Sequence, residues 1–179
     1  MKFNQDDNLK IRTLLPNGKM SYSVSVKLDK QGYQIAENVS PTKQGLAYRY
    51  YEGDINMAEK VENYEMKSTG ITSEIKPVLE EHPSKFGYLF DGYIKIEKKA
   101  VHSFVVNTNY GVLLYIGDQL VVENDGIHGR MAKIEGKIAL ESGYHKIRLK
   151  MYKGLGRTIE TSFGPEHEIR RDLSGYVFH

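Results

Sequence analysis

Residues 104–128 read FVVNTNYGVLLYIGDQLVVENDGIH, and this stretch decides the predicted fold. Residues 104–108 and 112–117 are runs of β-branched and aromatic residues, which favour β-strands. Residues 109–111, Asn-Tyr-Gly, turn the chain between them, and residues 117–119, Gly-Asp-Gln, open a second turn before the next strand. The stretch therefore predicts consecutive β-hairpins, and the loops of such an array can carry a binding site.

Apolar and polar residues alternate along most of the remaining chain, with glycine, proline, asparagine and aspartate at short intervals. This pattern is typical of an all-β sandwich or barrel. Gly92 is interpreted as a bulge within its strand, and residues 53–85 show no clear period. Further strands are predicted at residues 46–52, 87–97, 120–123, 131–140, 144–152 and 158–163. We therefore expect an antiparallel β-sandwich or barrel with little helix.

The strand predicted at residues 144–152 carries a row of basic residues. Lys146, Arg148 and Lys150 alternate with three apolar residues, so one face of this strand should be charged and the other buried. The basic face is interpreted as a solvated surface, with binding of an acidic glycan as the alternative.

The amino-terminal part of the chain predicts a separate β-hairpin. Residues 9–15 and 20–28 have strand character, and Pro16–Lys19, Pro-Asn-Gly-Lys, is a typical turn between them. Because an isolated hairpin is marginally stable in water, we interpret it as the closing part of a preceding small β-domain. The predicted organisation is a hairpin segment at residues 1–38, a linker at 39–44 and the main β-sandwich at 45–179.

Composition excludes several classes of function. The chain has 25 basic and 23 acidic residues and a formal charge of +2, with both signs interspersed, so neither nucleic acid nor an anionic membrane is expected as a partner. Without cysteine, it has no disulfide and no thiolate metal site or nucleophile. No apolar run approaches the roughly 18 residues of a spanning helix, and residues 1–7 lack the apolar core of a signal peptide. If the parent protein is exported, its signal should lie upstream.

Four segments, in this order and spacing, carry a resemblance to a known family: GLAYRYYEG at 45–53, FDGYIKIEKKAVHSF at 90–104, YGVLLYIGDQLVVENDGIHG at 110–129 and ALESGYHKIRLKMYKGLG at 139–156. Together they resemble the protective-antigen-fourteen (PA-14) domain family, over residues 45 to about 165. The resemblance implies a β-sandwich barrel that is not catalytic and often binds carbohydrate, attached to secreted glycosidases, adhesins and toxins. An extracellular or periplasmic location is implied in the same way.

The segment LKIRTLLPNGKMS at residues 9–21 carries a second resemblance. It is similar to the end of the small β-domain that follows the catalytic barrel in some bacterial beta-hexosaminidases. The implied partners are therefore a glycan or oligosaccharide and the catalytic domain of a parent glycoside hydrolase.

At one point the chain departs from the family pattern. Sugar-binding members of the family hold a calcium ion through an adjacent pair of aspartates, and Asn109 and Tyr110 stand in the corresponding positions. Ca²⁺ takes roughly 6 to 8 oxygen ligands and binds more tightly as their charge rises, so the loss of two carboxylates should remove the site. Oxygens of Asn109, Asp118, Asn124 and Asp125 could form only a weak calcium site. The alternative is that these four are turn residues.

Without the ion, sugar recognition would depend on aromatic faces and hydrogen bonds. Tyr110 is expected at the tip of a loop, where its ring could stack on a pyranose; alternatively, it packs on a neighbouring loop. His128 is expected to make a polar contact in the same region, or else to fix the turn. The predicted ligand-binding residues are Asn109, Tyr110, Asp118, Asn124, Asp125 and His128, and no metal ligand is assigned.

The sequence contains no catalytic motif. There is no His-Glu-x-x-His pair, phosphate-binding glycine loop or nucleophile elbow, and the six histidines are scattered singly. His102 alternates with Phe104 and is interpreted as a satisfied, buried imidazole. Two functions remain: a carbohydrate-binding accessory module of an exported glycoside hydrolase, and a structural spacer or protein-interaction domain that has lost its sugar.

Overall fold

The structure is a computed structural model that describes residues 7–28, 32–78, 83–126, 129–153 and 158–179. The chain divides into two units between Gly32 and Tyr33. Two 3₁₀ helices, Ala58–Asn63 and Leu173–Tyr176, accompany the strands. The strands are β1 (Asp7–Ile11), β2 (Val24–Leu28), β3 (Leu46–Glu52), β4 (Glu65–Thr72), β5 (Phe86–Ile96), β6 (Ala100–Thr108), β7 (Gly111–Ile116), β8 (Gln119–Asn124), β9 (Ala132–Leu140), β10 (Gly143–Lys153), β11 (Ile159–Pro165), β12 (Arg171–Asp172) and β13 (Val177–Phe178).

The first unit contains the predicted hairpin. β1 and β2 pair antiparallel, with Ile11 opposite Val24. At the turn, the Gly18 amide donates to the carbonyl of Leu15 at 2.9 Å, and Gly18 has a φ of +77°, which glycine adopts without strain. The hairpin predicted for residues 9–28 is confirmed.

The second unit is an antiparallel β-sandwich, as predicted. Its first sheet has the order β4-β3-β5-β10-β7-β8, with β13 added beside β5. Its second sheet has the order β12-β11-β6-β9. Aromatic residues fill the space between the two sheets: the rings of Tyr88 and Phe90 stack at 5.5 Å, and those of Phe104 and Phe163 stack at 5.7 Å.

The alternation of apolar and basic residues in β10 explains how this strand contributes to the core between the sheets. Ile147, Leu149 and Met151 are buried in the core of the sandwich, which stabilises the fold by roughly 1.5 to 3 kcal/mol for each side chain. The side chains between them point to the outer face of the first sheet. The prediction of one buried and one charged face is confirmed.

The sequence missed one strand, and one local prediction was wrong. β4 lies within residues 53–85, which the sequence left without a period; it is the edge strand of the first sheet, and its Met66 and Ile71 are each 51% exposed. Gly92 does not mark a bulge. Here β5 changes its partner from β3 to β13, and a Cβ at Gly92 would collide with the carbonyl oxygen of Phe178.

The segment before β3 is attached to the sandwich over a longer stretch than predicted. The amide of Gln34 donates to the carbonyl of Ala139 at 2.8 Å, and that of Glu37 donates to the carbonyl of Tyr144 at 2.7 Å. These bonds agree with a second unit that begins at Tyr33, ahead of residues 39–44, where the sequence placed the linker. Within the described ranges, no helix has the length and apolar character that a bilayer span needs.

His102 on β6 is buried, as predicted, at 2% exposure. Its Nε2 lies 2.9 Å from the carbonyl oxygen of Lys98, whereas its Nδ1 is buried without a hydrogen-bond partner. The imidazole is therefore satisfied at one nitrogen only, which corrects the expectation of a fully satisfied ring.

A pH dependence of stability follows from His102. Burial lowers its pKa, although the hydrogen bond to Lys98 opposes this, and His145 nearby lowers it further while Glu168 raises it. The folded state thus favours the neutral ring, so the free energy of unfolding should fall as the pH drops below 6.5, the ordinary value. His102→Gln should flatten this decline in urea titrations at several pH values. The control His167→Gln, at an exposed site, should leave the slope unchanged; an equal slope in both variants would contradict the assignment.

Candidate functional site

Tyr110 immediately precedes β7, at the position predicted to project from a loop. The structure places its ring in the main core, 3% exposed, and this burial raises the pKa of its phenol. Its backbone amide donates to Oγ1 of Thr108 at 2.9 Å. The expectation of a projecting ring is therefore wrong, because the ring contributes its apolar area to the sandwich, where a pyranose cannot reach its face.

Asn109 and Asn124 lie beside Tyr110 and hold the same turn. The Asn124 side-chain amide donates to the carbonyl of Tyr110 at 3.1 Å. The Thr158 amide approaches Oδ1 of Asn109 at 3.5 Å. The two side chains therefore connect this turn to the end of β8 and to Thr158, which immediately precedes β11. Asn124 is the last residue of β8, and not the first residue of a turn as the alternative interpretation expected.

The Asp125 carboxylate caps the first 3₁₀ helix. It accepts hydrogen bonds from the amides of Ala58 at 2.6 Å and Glu59 at 3.2 Å, while the Gly126 amide donates to Oδ1 at 2.8 Å. Met57, at the N-cap position of the helix, gives no side-chain hydrogen bond of its own. A side chain predicted as a ligand oxygen thus satisfies helix amides that would otherwise lack acceptors.

Asp118 is remote from the other predicted residues. It lies in the turn after β7, whereas Asn109 and Tyr110 lie before that strand. The six residues of β7 therefore separate Asp118 from Asn109 and Tyr110 by roughly 20 Å. The four oxygens considered for a weak calcium site do not converge. In the ranges that the structure describes, no group of three or more histidine or acidic side chains is arranged to hold a metal ion. His128 lies outside the described residues.

The outer face of the first sheet carries a groove that the sequence did not reveal as a unit. Arg148 on β10 lies opposite Asp91 on β5 and Tyr115 on β7. Lys146 lies opposite Tyr93 in the next row. The groove has a volume of about 790 Å³, and its lining residues are Asp91, Gly92, Tyr93, Tyr115, Gly117, Asp118, Lys146, Ile147, Arg148, Lys150 and His179.

A second, smaller core bounds the outer face at one end. The first 3₁₀ helix packs there, with Ala58 and Val61 against Leu89, Leu113 and Tyr152. The groove is therefore confined to the part of the sheet beyond this helix.

Ion pairs form the floor of the groove. Asp91 accepts from Arg148 Nε at 2.6 Å and from an Arg49 amino group at 2.5 Å. Glu62 contacts Lys150 at 2.5 Å and Arg49 at 3.7 Å. Arg148 and Lys150 of the basic row thus form ion pairs with carboxylates. The interpretation of this row as a solvated surface did not predict these ion pairs. The sequence signal was the alternation of charge in β10, but naming the partners requires the register of β5.

The comparisons with known proteins agree with this architecture. The model of the PA14 domain family matches residues 42–173. A curated relative, a beta-hexosaminidase from Porphyromonas gingivalis, is 24% identical over 156 residues, which are 83% of this chain and 20% of the relative. The chain thus spans about a fifth of the length of the curated relative that it matches.

Two solved structures show the same fold. The PA14 sugar-binding domain from an RTX adhesin is 15% identical, with a TM-score of 0.62 over 77% of this chain and 99% of the adhesin domain. The A domain of epithelial adhesin 9 from Candida glabrata, in complex with Galβ1-3GlcNAc, is 15% identical, with a TM-score of 0.57 over 82% of this chain and 96% of that domain. The family match covers most of the chain and confirms the resemblance seen in the sequence: this chain belongs to the PA14 domain family.

Proposed function

We propose that this chain is a non-catalytic carbohydrate-binding accessory module of an exported glycoside hydrolase with a beta-hexosaminidase-like catalytic part, and that it binds sugar without calcium. Family membership and the sugar-binding domains of the same fold support carbohydrate binding. The Porphyromonas gingivalis relative supports the parent class. The N-terminal hairpin is proposed to belong to a small β-domain that precedes the module in that parent.

One observation supports the calcium-free part of this proposal: side chains around the turn between β6 and β7 already pack or form hydrogen bonds within the protein. Tyr110 is buried, and the Asp125 carboxylate accepts three backbone hydrogen bonds. A calcium ion at this place would have to compete with those amides for Asp125 and would find neutral groups at positions 109 and 110. A role of Asn109, Asn124 or His128 in sugar binding remains part of the proposal.

A second function is favoured by the same observation. Because Asn124 and Asp125 hold the turn and the 3₁₀ helix together, this end of the sandwich is suited to a structural spacer or a protein-interaction domain. Such a module would stabilise its parent enzyme without binding sugar.

Calorimetric titration with a panel of oligosaccharides, in EDTA and in excess calcium, separates these functions. We expect the same Kd in both solutions and no rise in Tm on adding calcium, because no anionic cage is present among the described residues to gain from the ion. Sugar binding that requires calcium would overturn the calcium-free proposal. If no sugar in the panel binds, while removal of the module destabilises the parent enzyme, the spacer function is supported instead.

A further inference from the structure

We propose that the bound sugar lies in the groove on the outer face of the first sheet, between Tyr93 and Tyr115, and that it is an uncharged saccharide. This inference rests on the proposed carbohydrate-binding function and locates its site. It places the site on the face of β5, β10 and β7, as an alternative to a site at the loop residues Asn109, Asn124 and His128.

The strand register places two aromatic residues on either side of a polar floor. Tyr93 on β5 and Tyr115 on β7 are both half-buried, and β10 runs between their strands. Lys146 lies beside Tyr93, and Arg148 lies beside Tyr115. Partly exposed tyrosine rings offer an apolar face to the C–H groups of a pyranose and a hydroxyl to its edge.

The floor offers donors and acceptors side by side. Arg148 Nε donates to Asp91 Oδ1 at 2.6 Å, and Arg49 donates to Oδ2 of the same carboxylate. A guanidinium carries five N–H donors, and each carboxylate oxygen can accept more than one hydrogen bond, so these contacts do not exhaust the pair. Neighbouring hydroxyls of a sugar need this combination, and the ion pairs fix it in place before binding, which lowers the entropic cost.

The charge balance argues against an acidic ligand. Lys146 contacts Glu37 at 3.4 Å, Lys150 contacts Glu62, and Arg148 and Arg49 share Asp91. Three cations and the two carboxylates of Asp91 and Asp118 line the groove, and Arg49, Glu37 and Glu62 pair with lining residues from outside it, which makes four cations and four carboxylates in all. A carboxylated sugar would have to displace one of these carboxylates or lie beside it, whereas an uncharged sugar can bridge the pairs intact.

The size of the groove is also suited to a saccharide. Its volume of about 790 Å³ is within the roughly 300 to 1,000 Å³ of typical ligand pockets. The smaller core under the 3₁₀ helix bounds one end, and the turn that contains Asp118 bounds the other. Asp118, predicted as a ligand residue of the loop, thus belongs to a different site.

The test is a titration of the ¹⁵N-labelled full chain with lactose, cellobiose and N,N′-diacetylchitobiose, followed by amide chemical shifts, with a glucuronic-acid disaccharide as the charged counterpart. For at least one uncharged sugar we expect shifts at residues 91–93, 115–118 and 146–148. Arg148→Ala and Tyr93→Ala should each weaken binding roughly tenfold, as expected for residues at the centre of a contact surface. The matched control is Arg170→Ala, which removes an arginine paired with Glu135 at 2.8 Å on the second sheet, and its affinity should be unchanged.

The possible failures are distinguishable. Uncharged sugars that bind with shifts at residues 109–110 and 124–126, and at normal affinity in Arg148→Ala, would overturn the groove as the site while leaving the carbohydrate-binding function intact. Preferential binding of the glucuronic-acid disaccharide would overturn the ligand class. If Arg148→Ala lowers the melting temperature strongly, Tyr93→Ala and the shift map decide the result instead. Absence of binding by every sugar would remove the proposed function itself.

Discussion

Replacement of Tyr110 by alanine is expected to lower the free energy of unfolding by about 3 to 5 kcal/mol, the range for removal of a buried aromatic ring. The ring is 3% exposed and packs in the core that joins the two sheets. Its removal would leave a cavity at the start of β7 that the antiparallel sheets cannot close without losing register. Urea denaturation followed by circular dichroism measures this loss.

Tyr110→Phe is the matched control for this experiment. It retains the ring and its apolar area and should therefore keep nearly all of the stability. If instead Tyr110→Ala unfolded at the same urea concentration as the wild type and lost sugar binding, the ring would have to be a contact surface, and the buried position would be contradicted. The two variants thus separate a core residue from a loop-tip binding residue.

Local patterns of sequence were sufficient for the strands that have one buried and one solvated face. The segment at residues 46–52 was predicted with the bounds that β3 has, and the alternation around Arg148 identified both faces of β10. In such strands, burial of every second side chain dominates the choice of conformation, so the pattern along the chain contains the necessary information. β4 was not predicted because an edge strand leaves its apolar residues exposed.

The candidate sites depend on contacts that are distant in sequence. Asp125 caps a helix 67 residues earlier, and Arg148 meets Asp91 57 residues earlier. The turn predicted at residues 124–126 is not seen as such, because Asn124 is the last residue of β8 and only Gly126 has a positive φ. In a sequence, an aspartate that caps a helix cannot be told apart from one that binds a ligand. Tyr110 illustrates the same problem, because a tyrosine after an asparagine at a turn can point outward or into the core, and only the packing of two sheets decides between them.

Removal of the Asp125 carboxylate is expected to have the second large effect. Asp125→Ala should cost about 1 to 3 kcal/mol, since it removes a capping acceptor and leaves backbone amides of the 3₁₀ helix without partners. The Ala58 residue that donates one of these bonds is fully buried, so water cannot easily replace the carboxylate there. The loss should appear as a lower midpoint in urea denaturation.

The comparison with Asp118→Ala makes this prediction specific to the cap. Asp118 is exposed in a turn, so its replacement by alanine should leave the free energy of unfolding almost unchanged. Both aspartates nevertheless carry the same charge and follow strands of the same hairpin. Asp125→Asn retains one acceptor oxygen and should lose less stability than Asp125→Ala. Equal stability of Asp125→Ala and Asp118→Ala would contradict the cap. A calcium-dependent gain in Tm that disappears in Asp125→Ala would show that this carboxylate binds an ion instead, because an ion that binds only the folded protein stabilises it by mass action.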